Sequence, residues 1–304
     1  MDLFDRKGIK PMLLSEQKEP FDSPEFLFEL KLDGIRCIAY IDGNGIDLRN
    51  KRNFTLLDAF PELLSINAAA KSKCILDGEL VIMNQGKPDF EAVRRRAMLT
   101  NPMRRGFFAQ KHPACFVAFD LLYLSGTELV QRPLFERKKL LAETIESTPE
   151  LAVSQFIDGQ GIAFYRLTQE SGLEGIVAKR KTSQYFFDRR SSDWIKLKHI
   201  IDEDFIACGY IRKGNAITLV LGQYRGESLI HKGHVSLGVT WASVRRFAVT
   251  NAPSFVGMDQ EAVWFREPQV CVVAYMERTS SGGMRQPCFK RFRDDKSPKD
   301  CVEV

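Results

Sequence analysis

Phe28-Glu29-Leu30-Lys31-Leu32-Asp33-Gly34-Ile35-Arg36 sets a lysine between two apolar, strand-like segments, with an acid and a glycine just after it. A lysine amine becomes a nucleophile once its surroundings remove its proton. Asp33 and Gly34 have the chemistry of a sharp turn that leaves Lys31 facing a pocket. Arg36 supplies a fixed cation for a phosphate or a strand end. The form Lys-x-Asp-Gly-x-x-Arg carries little alone; its meaning depends on partners supplied by the rest of the chain.

Outward from this stretch, residues 26–31 and 35–41 read as strands. The overlapping hairpin signals of Asp42-Gly43-Asn44-Gly45 turn the chain back into a strand at 46–49. A helix is expected over 56–70, a strand over 74–83, a turn at Asn84-Gln85-Gly86-Lys87-Pro88 and a short basic helix over 90–98. Residues 1–24 are polar and punctuated by Pro11, Pro20 and Pro24, as a lead-in wrapped over the body. A strand over 116–124 precedes a helix from Pro133 to 145, proline being tolerated in a first turn. A helix over 161–171 ends at Gly172 before strands at 175–179 and 194–198. After His199 the texture changes to short β segments (205–211, 216–221, 228–231 and 269–276) and one helix over 241–249. That places a small barrel after a boundary at 199–203.

A chain of 304 residues is long enough for two domains, and 44% hydrophobic with 27% charged residues is a soluble globular composition. The net charge of +5 permits a polyanionic partner without requiring one. No apolar run approaches the roughly 20 residues of a membrane helix, and the N-terminus lacks a signal-peptide core. Seven scattered cysteines with no Cys-x-x-Cys predict reduced thiols in a cytoplasm, with neither a zinc ribbon nor a disulfide framework.

Neither a Gly-x-x-x-x-Gly-Lys-Ser/Thr loop nor a Gly-x-Gly-x-x-Gly is present, so any nucleotide is held by other means. Instead, charged residues recur on or beside the expected strands: Lys31, Asp33 and Arg36; Arg49; Asp77 and Glu79; Asp120; Glu174 and Lys179; Lys196 and Lys198. Charges among apolar strands are costly unless paired or facing a cleft. Converging on one sheet, they form a catalytic groove suited to nucleotidyl transfer through a covalent lysine. The ordinary lysine pKa is about 10.4 and has to fall for attack at neutral pH; Lys196 and Lys198 are the cations expected to depress it. Carboxylates such as Glu174 suit the magnesium that nucleoside triphosphates carry.

These residues make the chain resemble an ATP-dependent DNA ligase of the covalent nucleotidyltransferase superfamily, and the compact ligase module of bacterial end-joining ligases in particular. Six motifs of that family occur in order. They are Lys31-Leu32-Asp33-Gly34-Ile35-Arg36, with Leu48-Arg49-Asn50-Lys51 after it; Leu76-Asp77-Gly78-Glu79; Phe119-Asp120-Leu121-Leu122; Glu174-Gly175-Ile176-Val177-Ala178-Lys179; Trp194-Ile195-Lys196-Leu197-Lys198; and the run from Arg285 to Lys296.

The resemblance implies an α+β fold: an adenylation (nucleotidyltransferase) domain of ATP-grasp-like antiparallel sheets with helices over 1–200, then an OB-fold barrel over 201–304 carrying the last motif. It also implies ATP and Mg2+ (or Mn2+) as cofactors, Lys31 as the residue that takes AMP, and Lys196 and Lys198 on the α-phosphate. Glu29 accepts from the adenine amino group and Phe119 stacks on the ring, with Leu30 and Lys179 in the same donor pocket. Glu79 and Arg49 contact the ribose or the nick phosphate, Arg36 lies near the phosphate, and Glu174, with Glu79, serves the metal. Arg293, Asp295 and Lys296 orient the departing pyrophosphate. The reaction so implied seals 5′-phosphate/3′-hydroxyl breaks in duplex DNA, in repair, recombination or replication. Expected surroundings are nicked or broken duplex DNA, a Ku-type end-binding protein, no membrane, a monomeric state and a nucleoid-associated cytoplasmic location. ATP is favoured over NAD because only 30 residues precede Lys31 and no four-cysteine module is present.

Leu48 and Lys51 depart from the family's usual Ser-Arg-Asn-Gly, leaving the local turn at Arg49 open. An RNA ligase or capping guanylyltransferase of the same superfamily is the nearest rival; a catalytically silent nucleic-acid or Ku-binding scaffold is a rival of another class. The basic residues Arg94, Arg95, Arg96, Arg104, Arg105, Lys111 and His112 fall on a short helix and loop, where a charge run is usually a solvated face; here they are expected to track DNA phosphates. His231-Lys232-Gly233-His234 has a loose metal spacing without a third ligand and reads as an exposed barrel turn.

Overall fold

The computed structural model describes residues 2–255, 261–279 and 282–303 and divides into two units, Met1–Lys198 and His199–Val304. In chain order the first unit runs α1 (Leu3–Arg6), β1 (Leu13–Glu16), β2 (Phe26–Leu30), β3 (Ile35–Asp42), β4 (Gly45–Asn50), a 3-10 helix (Pro61–Ala69), β5 (Cys74–Asn84) and β6 (Lys87–Pro88). Next come α2 (Phe90–Ala97), α3 (Pro102–Lys111), β7 (Ala114–Leu124), β8 (Thr127–Glu128), α4 (Leu134–Thr144) and β9 (Leu151–Val153). It closes with β10 (Phe156–Asp158), α5 (Gly161–Glu170), β11 (Gly175–Arg180) and β12 (Arg190–Lys198).

These strands form two sheets, one ordered β1-β12-β11-β2-β10 and one ordered β4-β3-β5-β7-β8, with β6 on β5 and β9 on β7. Side chains two apart on a strand share a face. Phe26, Phe28, Ile176, Ala178 and Leu197 fill one face of the first sheet beneath Phe164 and Tyr165 of α5. In the second sheet Cys37, Ala39, Ile41, Leu76, Leu80, Phe116 and Ala118 pack on Leu63 and Ile66 of the 3-10 helix, Val93 of α2 and Leu141 of α4. The remaining faces meet in a third cluster, where Leu27 and Trp194 of one sheet join Ile38, Tyr40, Ile75 and Tyr123 of the other. The charged motifs therefore lie on two facing sheets, and the single converging sheet expected from sequence is corrected.

Other expectations shift for local reasons. The N-terminal lead-in is core: Leu3, Phe4, Ile9 and Met12 are buried between the sheets, and β1 pairs in parallel with β12. The helix expected over 56–70 is reduced to a 3-10 helix from Pro61, because a residue before proline is driven out of the helical region; Phe60 has φ −131°. The segment expected as loop after the basic helix forms α3, which Asn101 caps and whose first turn holds Pro102. The hairpin turn settles on Gly43-Asn44, with Asp42 paired to Gly45.

The second unit contains β13 (Ile201–Lys213), β14 (Ala216–Arg225), β15 (Ser228–Val235), α6 (Trp241–Val244), β16 (Val249–Thr250), β17 (Val263–Tyr275), β18 (Cys288–Arg293) and a short 3-10 turn (Pro298–Asp300). The order is β15-β14-β13-β17-β16, with β18 also on β17. A parallel bridge from Leu237, just past β15, to Cys288 of β18 returns the sheet on itself, as a small barrel requires. Phe205, Leu219, Leu221, Val235, Val273 and Phe289 share one core. The helix expected over 241–249 stops at Val244, because Val249 joins strand β16 against Phe265. His231 and His234 lie within β15 opposite Gly222 and Val220, which corrects the turn read there.

Candidate active site

Lys31 follows β2 directly, and its backbone N–H donates to the Gly175 carbonyl at 3.0 Å. This bond sets Lys31 beside Glu174, the residue before Gly175. Gly175 has φ +139° and no room for a Cβ against the Leu197 carbonyl, so the close passage of β11 along β12 requires glycine. Gly34 plays a comparable part: a Cβ there would strike the Leu80 carbonyl of β5. The Asp33-Gly34 corner thus ties the lysine's sheet to the facing sheet through close approach.

Lys31 Nζ donates to Glu174 Oε2 at 2.7 Å, and Lys198 Nζ lies 3.8 Å from Glu174 Oε1. One carboxylate therefore stands between the two ammonium groups. Burial pushes Lys198 below its ordinary pKa, with Lys196 and Lys31 adding to the effect and Glu174 opposing it. Burial pushes the Glu79 carboxyl up to about 8 against the pull of Lys31 and Arg36, while Asp77 and Glu174 reinforce the rise. Arg36 grips Asp77 through Nε to Oδ1 (3.0 Å) and Nη2 to Oδ2 (2.6 Å), and the Tyr185 hydroxyl donates to Asp77 Oδ2 at 2.6 Å. Lys31, Arg36, Glu79, Glu174 and Lys198 thus form one electrostatic group. Lys196 is the outlying member, paired with Glu16 of β1 at 2.8 Å.

A second group surrounds Phe119. The Arg36 guanidinium lies 5.1 Å from its ring centroid and Lys179 Nζ 4.0 Å. Lys179 also binds Glu29 Oε2 at 3.1 Å, where Ser154 Oγ donates at 2.9 Å, and Lys138 of α4 pairs with Glu29 Oε1 at 2.6 Å. Desolvation pushes Glu29 up, but the two lysines outweigh it and its carboxyl lies below the ordinary value. Burial, reinforced by Lys138, brings Lys179 down to about 8 despite Glu29. Leu30 is partly buried at the end of β2, opposite Ile176.

The Lys179 shift has a measurable sign. A lysine whose folded pKa lies below its unfolded one releases its proton first in the folded state, so stability rises with pH across that interval. The melting temperature of the wild type relative to Lys179→Met is expected to rise between pH 8 and pH 10; a flat difference in paired thermal melts would refute the shift.

Other predicted site residues lie apart from these groups. Arg49 on edge strand β4 donates to Asp47 (2.8 Å) and Asn53 (3.0 Å). In the second unit Arg293 and Lys296 converge on Asp204 Oδ2 at 2.7 and 2.9 Å, and Arg293 also binds Asp295. Of the basic cluster, Arg96 is corrected: it is 3% exposed, donates to the Ala59 carbonyl at 2.7 Å and pairs with Glu62 at 2.9 Å. Arg105 likewise turns inward to the Leu99 carbonyl at 2.7 Å. Arg94, Arg95, Arg104, Lys111 and His112 remain exposed. Arg95, Arg104 and His112 line a cavity of about 360 Å³ together with Ile82, Leu99 and Phe108.

Sequence reasoning missed Lys138, Ser154 and Tyr185. Lys138 had a signal: Leu134, Arg137, Lys138 and Leu141 form the buried stripe of α4, so two cations occupy core positions of a helix.

A lysine, carboxylates and further cations between two sheets, followed by an OB-type barrel unit, define a two-domain nucleotidyltransferase. Comparison with known sequences identifies which one: the ATP dependent DNA ligase domain matches residues 11–198 and the ATP dependent DNA ligase C terminal region matches residues 212–296. The chain belongs to the ATP-dependent DNA ligase family. It is 31% identical to the SPbeta prophage-derived DNA ligase-like protein LigB of Bacillus subtilis (strain 168), over 94% of this chain and 99% of that one. It is 30% identical to DNA ligase C1 of Mycolicibacterium smegmatis, over 99% and 94% respectively. Its fold matches mycobacterial DNA ligase D complexed with ATP and MES, with a TM-score of 0.59, 25% identity and all of both chains covered. Among the described residues no helix is long and apolar enough to cross a membrane.

Proposed function

We propose that this chain seals 5′-phosphate/3′-hydroxyl breaks in duplex DNA through a lysyl-AMP on Lys31. The observation that carries the reading is the Lys31–Glu174–Lys198 arrangement between the two sheets, with Glu79 beside it. Lys31 first releases one ammonium proton to solvent; its Nζ then forms a bond to the α-phosphorus of ATP, the bond to pyrophosphate breaks, and the second proton leaves to Glu174, 2.7 Å away. AMP then passes to the 5′-phosphate of the break, and the 3′-hydroxyl displaces it.

Lys198 and Lys196 neutralise the phosphate under attack, Phe119 stacks on the adenine and Glu29 accepts from its amino group. Arg36 and Arg49 serve the phosphate and ribose end, and Arg293, Asp295 and Lys296 are the residues proposed to orient the departing pyrophosphate. The Glu174 oxygen that does not take the Lys31 proton, with Glu79 once its carboxyl has lost the proton that burial retains up to about 8, would hold the Mg2+ carried by a triphosphate, which needs only one or two protein carboxylates. When bound, that ion supplies charge neutralisation at the phosphates.

Incubation with ATP or GTP labelled at the α-phosphate tests the reading. Denaturation-resistant label from ATP, followed by sealing of a nicked duplex, is the expected result. Label from GTP alone would place the chain with capping enzymes, and no label from either would leave a nucleic-acid-binding scaffold.

Arg95 and Arg104 are the residues of the basic cluster best placed to contact DNA phosphates. Their joint replacement by alanine is expected to lower nick affinity and reduce the salt slope by about two, leaving Lys31 adenylation intact. Unchanged affinity in a salt titration would remove them from the interface. The likeness to DNA ligase D supports an end-joining setting, in which a Ku-type end-binding protein is the partner to test.

A further inference from the structure

The buried charges around Glu29 do not balance. Two ammonium groups share its one carboxylate, Lys138 Nζ at 2.6 Å from Oε1 and Lys179 Nζ at 3.1 Å from Oε2. All three residues are at most 5% exposed. Among the described residues neither Lys138 Nζ nor Glu29 Oε1 has a hydrogen-bond partner beyond this ion pair, and the Phe156 ring is the aromatic group over Lys138, at 5.8 Å. A buried ammonium with unused donors is costly, whereas a methionine of similar length fills the same space without that penalty. Packing therefore does not explain the charge at position 138.

The two oxygens of Glu29 differ in what they still offer. An ionised carboxylate has about four acceptor positions, two on each oxygen. Oε2 receives Ser154 and Lys179, which fill it. Oε1 faces Lys138 only and is shielded from solvent, which leaves one of its two acceptor positions without a donor. Glu29 stands next to the aromatic platform, because the Lys179 ammonium that binds it also lies 4.0 Å from the Phe119 ring centroid.

We propose that Lys138 is a positioning residue for selection of the donor base. It fastens Oε1 so that the carboxylate keeps one acceptor open for an exocyclic amino group. A 6-amino purine donates to that position, whereas a 6-oxo purine presents a second acceptor and is repelled. Without Lys138 the carboxylate turns both oxygens to Lys179 and Ser154, and the acceptor closes. This inference rests on Glu29 as the reader of the donor base.

The test compares self-adenylation of the full chain by ATP with nucleotidylation by purine riboside 5′-triphosphate, which lacks only the 6-amino group. A hydrogen bond to a charged group predicts a wild-type preference for ATP of about tenfold or more in kcat/KM. In Lys138→Met the preference is expected to fall to within about twofold of unity, and Lys138→Arg is expected to restore most of it. Lys138→Gln, which keeps length and a polar end, replaces the methionine variant if that protein does not fold. If both substrates lose rate equally and the preference stays at its wild-type value, Lys138 only packs and the proposal is overturned. A wild-type preference near unity would instead overturn Glu29 as the base reader, and the role of Lys138 would fall with it.

Discussion

Lys31→Ala is expected to abolish covalent labelling by α-labelled ATP, a loss of at least about a thousandfold, because no other group replaces a covalent nucleophile. Sealing of a duplex that already carries AMP on its 5′-phosphate is expected to survive within about tenfold. That last step needs the 3′-hydroxyl and the phosphate-binding cations, and it does not use the lysine amine. The fold should tolerate the change: Glu174 keeps Lys198 at 3.8 Å, so the carboxylate is not stranded, and Lys31 is partly exposed. Residual denaturation-resistant label would assign the covalent role to another residue, with Lys198 the nearest amine in the group. Loss of both half-reactions together would make Lys31 a binding residue.

The candidate group of Lys31, Glu174 and Lys198 was legible because each stands in a short run whose residue types suggest a purpose, and the structure brings the three together. What local sequence could not show is which charged strands face each other. Arg36 and Glu79 are opposite each other on β3 and β5, whereas Lys31 and Glu174 adjoin the ends of β2 and β11 in the other sheet. Only closure of the two sheets over Leu27, Tyr40 and Trp194 brings them together. The basic run Arg94-Arg95-Arg96 shows the same limit. On a helix its three residues point in different directions, so Arg96 turns to Glu62 and the Ala59 carbonyl while Arg95 stays exposed. A charge count made along the chain cannot separate an anchor from a solvated face. Lys138 was missed for the opposite reason, since a single lysine in Glu136-Arg137-Lys138-Lys139 looks like helix surface until the buried stripe is drawn.

Arg137→Met is expected to be the most destabilising single change outside the apolar core. Arg137 and Asp120 are both fully buried and joined twice, Nε to Oδ1 and Nη2 to Oδ2, each at 2.8 Å. Arg137 Nη1 also donates to the Ser183 carbonyl at 2.9 Å. Removing the guanidinium leaves Asp120 with the Leu121 N–H as its remaining donor. Breaking such a pair by deleting one partner costs about 3–5 kcal/mol, most of it from the stranded charge. In a unit of this size that corresponds to a fall in melting temperature of roughly 6–20 °C. The double variant Asp120→Asn with Arg137→Met should recover part of the loss, because it removes the uncompensated charge along with its partner. A single variant that melts within about 2 °C of wild type, or a double variant no better than the single, would refute this account. The pair also reaches the site, since Asp120 follows Phe119 on β7 and Arg137 precedes Lys138 on α4. By locking α4 to β7 it fixes the Phe119 ring and the Glu29 partner Lys138 in one frame, so, on the proposed roles of Phe119 and Glu29, Arg137→Met is expected to weaken ATP binding even well below its melting temperature.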